Sequence, residues 1–216
     1  MGSDGLYYLQ SFFYGDEVAS ACREAKSSFT TAASIHEKLA AIEQLASTHD
    51  HLAVYLDASV EEPPLVSSEP SQQPTVAQIM RSQRGGLRIQ NHINACLLLM
   101  QSITLELIFK MPDTSEMPTV AAQRIEILQV ELFKQSQDRA DRILNTVPAL
   151  LPNEAAVSPG WADSLRIMWP LRMIIRSPAF GIDAKQPAIN ALRRIAYEMG
   201  LLQAVGSFYG VDSSFK

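Results

Sequence analysis

Helical spacing of the apolar residues runs through most of the chain. Apolar side chains recur three to five positions apart, which is typical of a helix with one face turned to a core. No segment shows the strict alternation of apolar and polar residues that a half-buried strand requires. The spacing predicts helices over residues 6–26, 33–56, 75–82, 87–109, 120–147, 161–176 and 186–208.

Glycine and proline set the predicted interruptions of these helices. Gly85 and Gly86 separate 75–82 from 87–109, and Pro170 interrupts the helix at 161–176. Glycine is a poor helix former, and proline lacks the N–H that the helix needs. We also expect a break near His49 and a loop over 148–159.

The segment 87–109 is the longest and most apolar of the predicted helices. It contains the uninterrupted block Ala95 to Met100, but polar residues on both sides break the apolar run. The run is therefore well short of the ~20 apolar residues that span a bilayer. We expect an all-α fold, a single helical bundle of about six or seven helices packed around this central apolar helix.

The composition divides the chain into three parts. Residues 59–74 are rich in proline and serine and poor in apolar residues, which is typical of a surface linker. The predicted organisation is N-terminal helices over 1–58, a linker loop at 59–74 and a helical core over 75–216.

Charge and cysteine content exclude several functional classes. The chain has 18 Lys and Arg against 23 Asp and Glu, a net charge of -5, and no basic stripe for direct nucleic-acid binding. Cys22 and Cys96 are too few for a disulfide framework or a cysteine zinc site. The N-terminus lacks a secretory signal, and Leu6 breaks a myristoylation pattern. We expect an intracellular protein with no membrane partner.

Four stretches resemble a known family when they are taken in order. The sequence RIQNHINACLLLM over 88–100 is followed by RADRIL over 139–144, LRIMWPLR over 165–172 and ALRRIAYEMGLLQA over 191–204. This order resembles the C-terminal regulatory region of fungal zinc-cluster transcription factors, and the resemblance covers about 87–208. That family binds DNA through an N-terminal cluster of six cysteines around zinc, which this chain lacks.

The resemblance implies a transcription-regulation protein without its own DNA-binding module, tied to a fungal secondary-metabolite gene cluster. It would be either the C-terminal part of a regulator or a stand-alone relative. It would act by helix–helix contact with a protein partner or as a homo-oligomer, through faces that include Tyr7, Tyr8, Phe12 and Phe13. The expected location is then the nucleus.

Two alternatives stay open at the level of the sequence. The same domain would serve as a small-molecule-binding protein, or as a motif-poor, cyclase-like enzyme for a polyketide or terpenoid, in the cytoplasm. Alternatively, it would be an inactive remnant. No phosphate loop, nucleophile elbow or paired-carboxylate motif is present, and no cofactor is expected.

Polar residues on the central helix are the candidate ligand contacts. They are Gln90, Asn91, His92 and Asn94, and Arg172 joins them as a weaker candidate. If the protein is an enzyme, His92 is the first catalytic candidate, because it lies one turn before Cys96. No third partner completes such a pair, so the sequence favours a buried, hydrogen-bonded histidine.

Two other clusters have a structural interpretation as well as a chemical one. His49, Asp50 and His51 carry metal-ligating groups, but residues two apart lie on different faces of a helix. We therefore predict no metal site there and a solvated helix end that Asp50 caps. The arginines near Trp169 form a row that would bind an anion or pair with acidic neighbours, and the sequence favours pairing; they are Arg166, Arg172 and Arg176.

Overall fold

The computed structural model describes residues 3–61, 76–151, 161–198 and 200–201 of the 216-residue chain. These residues contain no strand, and a short 3-10 turn, Thr114–Glu116, precedes the fourth helix. The predicted all-α class is confirmed. The six α-helices of the described residues are α1 (Ser3–Thr31), α2 (Ile35–Glu61), α3 (Val76–Ile108), α4 (Thr119–Leu150), α5 (Trp161–Arg176) and α6 (Ile182–Glu198).

The third helix, α3, lies at the centre of the domain and packs against α1, α2, α4 and α5. Because four other helices surround α3, the prediction of a central helix over 87–109 is confirmed. Within the described ranges, no helix is both long and apolar enough to cross a membrane. Five apolar side chains of α3 have 0% exposed surface: Ala95, Leu97, Leu98, Met100 and Leu105.

Two hydrophobic cores meet at α3. The first core joins α1, α2, one side of α3 and the beginning of α4. The second core joins the other side of α3, the end of α4, α5 and α6. Leu99 and Trp169 pack against both cores. The central helix is therefore the element that unites the N-terminal and C-terminal helices in one domain.

The helix predicted over 75–82 and the central helix are one helix, so the break expected at Gly85 and Gly86 is wrong. A glycine costs about 1 kcal/mol in a helix relative to alanine. That cost is smaller than the gain from packing a 33-residue helix against four neighbours. Tertiary packing overrides the local preference at these two positions.

The breaks expected near His49 and at Pro170 are also absent. Of the loop expected over 148–159, residues 148–150 belong to α4, and residues 152–159 lie outside the described residues. The second helix continues past His49 to Glu61, and α5 continues through Pro170. Helix α4 includes Pro148 and ends at Leu150, where the Leu151 N–H donates a hydrogen bond to the Val147 carbonyl at 2.7 Å. A proline removes a single hydrogen bond from a helix, and packing on both sides holds these helices together.

Capping and cross-helix contacts hold the ends of two helices. Ser34 caps α2, because its hydroxyl accepts a hydrogen bond from the Glu37 N–H at 3.2 Å. Glu37 accepts hydrogen bonds from the N–H groups of Ser34 and Ala33 in return, which completes a capping box. At the end of α4, the Arg194 guanidinium of α6 donates to the Leu151 carbonyl at 2.7 Å.

Several sequence predictions fall partly or wholly beyond the described residues. The predicted linker at 59–74 begins inside α2, and its remainder from 62 lies outside the described residues. The last predicted helix begins at Ile182 instead of 186, and its predicted extent to 208 is wrong, because α6 ends at Glu198 and Gly200 follows with a left-handed φ of 69°. Residues 202–208 lie outside the described residues. The side chains of the aromatic residues predicted to mediate contacts are also outside; they are Tyr7, Tyr8, Phe12 and Phe13.

Candidate functional site

A row of buried polar side chains joins α3 to α4. The hydrogen-bonded partners occur in opposite order along the two helices, since Asn91 pairs with Thr146 and Gln101 pairs with Ser136. The two helices therefore run antiparallel. These side chains are buried, so their donors and acceptors form hydrogen bonds with each other in place of water. The hydrogen bonds of this polar row are Asn91 Nδ2 to Thr146 Oγ1 at 2.6 Å, Arg139 Nη1 to Asn94 Oδ1 at 3.1 Å and Ser136 Oγ to Gln101 Oε1 at 3.2 Å.

His49 of α2 extends the polar row to a third helix. Its Nε2 lies 3.0 Å from Gln101 Nε2, and its Nδ1 lies 3.0 Å from Asp50 Oδ1. The Gln101 amide can only donate to a ring nitrogen, so the geometry assigns the ring proton to Nδ1, which donates to Asp50. The Gln101 amide also donates to Gln135 Oε1 at 3.3 Å. His49 therefore links α2, α3 and α4.

The prediction of a solvated helix end at 49–51 is wrong. Helix α2 runs on, and His49 is only 2% exposed because it faces α3 and α4. His51 is exposed, so the two imidazoles do lie on different faces. Among the residues that the structure describes, no three His, Cys, Asp or Glu side chains are grouped so as to hold a metal ion.

The predicted ligand contacts of α3 are divided between two of its faces. Asn91 and Asn94 are each 2% exposed and belong to the polar row toward α4. His92 is half-buried and stacks against Trp169 of α5, with ring centroids 5.0 Å apart and planes tilted by 38°. Its Nε2 lies 3.8 Å from the place where a Cβ on Gly15 would be, so His92 also adjoins α1.

The remaining candidates are less buried than the two asparagines. Gln90 of α3 and Arg172 of α5 are both half-buried. Arg172 lies one turn after Trp169 on α5, while Arg166 and Arg176 are exposed. The three arginines therefore differ in exposure, since Arg172 is half-buried and the other two are exposed.

The two cysteines are buried in the first core and are poor nucleophiles. Cys22 is 7% exposed and Cys96 is 2% exposed. Burial raises the pKa of Cys22 to about 11 and the pKa of Cys96 to about 12, from the ordinary 9.0. A thiol must ionise to attack a substrate, so His92 and Cys96 do not form an activated pair.

Three surface clefts lie away from the predicted site, because none of them is lined by a residue of α3. One of about 30 Å³ lies between α1 and α2, and one of about 660 Å³ lies beside the beginning of α4. The third, the α2–α4 cleft, has a volume of about 290 Å³ and is lined by His49, Asp50, Ala53, Val54, Gln135, Asp138, Arg139 and Arg142.

Helix α4 carries a second apolar row on the side that faces away from the core. Val120, Ile127 and Val130 are 67%, 70% and 65% exposed, and their spacing of seven and three residues puts them on one face. We call these three residues the outer stripe. Sequence reasoning used only the row that contains Ile125 and Leu132, which is the buried one. The second heptad-like row was the signal that it missed.

No protein-family model, curated protein or solved structure matches this chain. The resemblance to fungal regulators therefore rests on the quoted motifs, of which three lie on α3, α4 and α5 and the fourth lies on α6 as far as Glu198. The chemistry that the geometry offers is of two kinds. A buried polar row fixes the register of the helices, and the exposed outer stripe offers an apolar surface for contact.

Proposed function

We propose that this protein is a regulatory protein that acts through contact between helical surfaces, similar to the regulatory region of a fungal transcription factor without its DNA-binding module. Its setting would be the control of a secondary-metabolite gene cluster in the nucleus. Two features support the proposal: the order of the four motifs along the chain and the deep burial of α3. A helix whose side chains are so fully buried is suited to a structural role.

The observation that carries the proposal is the outer stripe of α4. Three β-branched side chains lie exposed on one face of a helix whose other face is fully packed. Scattered apolar residues on a surface are ordinary, but residues aligned on one helix face offer a continuous strip to another helix. Covering such a strip gives a gross gain of about 25 cal/mol per Å² of apolar surface removed from water, from which the entropy cost of association is subtracted.

A gene deletion in the native host tests this function. We expect the transcripts of neighbouring genes to fall together in the deletion strain. A strain that carries Ile127→Glu with Val130→Glu should show the same fall, because a charge on the stripe opposes burial. Ile182→Glu, at an equally exposed position on α6, is the matched control and should leave transcripts unchanged. Steady transcripts in the deletion strain would refute the proposal.

A small-molecule-binding protein or motif-poor enzyme is the second candidate, and the α2–α4 cleft favours it. Arg139, which is 7% exposed, and Arg142 lie in this cleft beside Asp50 and Asp138. Such a mixture of charges suits a small polar molecule with both donors and acceptors. Under this function, deletion would leave transcripts steady and cause one pathway intermediate to accumulate. That intermediate should raise the Tm of the purified protein, and Arg142→Ala should abolish the shift.

A further inference from the structure

We propose that the outer stripe of α4 is covered by a second copy of this chain, with the two α4 helices antiparallel about a twofold axis. The inference rests on the proposed function in one respect, that α4 is a contact surface, and it names the occupant. The charges beside the stripe carry the argument, because they oppose the other ways in which two copies of α4 would pair.

The outer face of α4 has the spacing of a paired helix. Val120, Gln123, Ile127, Val130 and Lys134 follow each other at intervals of three and four residues, which is the repeat along the seam of two packed helices. All five are exposed. The apolar members lie in the first half of α4, so the contact would be short and centred near Ile127 and Val130.

A parallel pair would bring like charges together. In a parallel pair, the residue that precedes Ile127 on one helix lies beside the residue five positions further along the second helix. Glu126 would therefore face Glu131 of the second copy, and the symmetry would repeat this pair. Lys134 would also lie opposite Lys134 of the second copy. Like charges flanking a seam are destabilising, so the charge pattern opposes the parallel arrangement.

One antiparallel register has the same defect. If Val120 lies opposite Val130 of the second copy, the twofold axis passes close to residue 125. Arg124 would then lie beside Arg124 of the second copy, and Glu126 beside Glu126. Both contacts place like charges near the axis, where the helices are closest.

The other antiparallel register places opposite charges together. If Ile127 lies opposite Val130 of the second copy, Arg124 comes within about one turn of Glu131 of the second copy, and symmetry forms this pair twice. Gln123 then lies opposite Lys134 of the second copy. The four apolar residues at the centre are flanked by complementary charges, so this is the register that we infer.

Contacts within the monomer hold both charged groups in place for this pairing. The Arg124 guanidinium uses Nη2 to pair with Glu43 of α2, and a guanidinium has five N–H donors. Glu131 accepts a hydrogen bond from Gln135 one turn later, at 3.1 Å, through Oε1. Side chains that are already restrained lose less conformational entropy when a partner arrives.

Sedimentation of the full chain over a range of concentrations tests whether the pair forms. We expect the mass to rise from the 23.8 kDa of the monomer to twice that value. Ile127→Glu with Val130→Glu should raise the dimer Kd at least tenfold, whereas Ile182→Glu, 80% exposed on α6, should not change it. A chain that stays monomeric up to its solubility limit would overturn the inference, as would a dimer that the stripe variant leaves intact.

Cysteine cross-linking tests the register. The double variant Gln123→Cys with Lys134→Cys should form a covalent dimer on oxidation, because these positions face each other in the inferred register. Val120→Cys with Val130→Cys, which reports the rejected register, should cross-link at least tenfold more slowly. The native Cys22 and Cys96 are buried and do not compete. The reverse preference between the two variants would overturn the inference.

A charge reversal gives an independent measurement of the same register. Glu131→Arg should weaken the dimer about tenfold, since it faces Arg124 of the second copy. Adding Arg124→Glu should restore the Kd, and a double variant no tighter than the single one would contradict the pairing. Circular dichroism of each variant checks the fold, because Arg124 also contacts Glu43. The transcript levels of the deletion strain do not depend on these dimer measurements. The regulatory function and the self-association can therefore be refuted separately.

Discussion

Two interfaces of α3 differ in their chemistry, although apolar residues occur in both. Toward α1 and α2, the helix presents apolar side chains such as Leu97 and Met100 together with the Cys96 thiol. Toward α4, it presents Asn91, Asn94 and Gln101, each hydrogen-bonded to a named partner. Apolar packing is non-directional and provides most of the stability. Buried polar pairs contribute little net free energy, but they are satisfied in one alignment only.

This difference explains how α4 is held in a fixed orientation. A slip of α4 along α3 by one turn would leave the polar row unpaired in the interior, at a cost of ~1–3 kcal/mol for each orphaned group. The same row therefore determines which face of α4 is turned outward. The hydrogen bonds of the polar row, on the inner side of α4, therefore also orient the outer stripe and the charged residues beside it.

The largest effect is expected on the apolar side of α3. Leu97→Ala removes a side chain with 0% exposure from the first core, and we expect a loss of about 2–5 kcal/mol in the free energy of unfolding. Urea denaturation followed by circular dichroism measures it. Val54→Ala, at a position that is 74% exposed, is the control and should change stability little.

A smaller effect is expected in the polar row. Arg139→Met leaves Asn94 Oδ1 without its donor in the interior, which should cost about 2 kcal/mol. Replacing both partners, as Asn94→Leu with Arg139→Met, should recover most of that loss, because the interior then holds no Asn94 oxygen without its donor. If the double variant is as unstable as the single one, the polar row contributes stability as well as alignment.

The cysteines on the apolar side predict a dependence of stability on pH. Their pKa values in the folded state are raised to about 11 and about 12, so the unfolded thiols ionise first as the pH rises. Stability should therefore be complete below pH 9 and should fall above it, by about 1 kcal/mol per thiol per pH unit. Cys22→Ala with Cys96→Ala should remove this component of the slope in urea titrations at pH 8 to 10.

The smallest effect is expected for a single neutral hydrogen bond of the polar row. Ser136→Ala removes the hydroxyl that donates to Gln101 Oε1, and the free energy of unfolding should fall by about 1 kcal/mol. Ser115→Ala, which removes an exposed hydroxyl bonded to Asp113, should cost much less. Thermal melts of the two variants side by side would reveal whether burial makes the difference.

Much of the fold was predictable, whereas little of the site was. The apolar spacing identified α4 almost to its ends and marked 87–109 as central. It did not reveal that Asn91 and Asn94 would pair with α4 while His92 turns to Trp169, because a helix of 3.6 residues per turn sends neighbouring residues to different faces. The outer stripe was overlooked because the row that contains Ile125 and Leu132 was by itself enough to predict the helix.

The sequence by itself determined the helical class and the central place of the most apolar segment, because periodicity and hydrophobicity act over a few turns of one helix. Tertiary structure alone decided that α3 continues through Gly85 and Gly86, that His49 is buried, and that one apolar row of α4 faces outward. Each of these outcomes depends on which neighbour covers a given face. The sequence of one helix does not specify which elements pack against it, so the tertiary packing determines which face is covered.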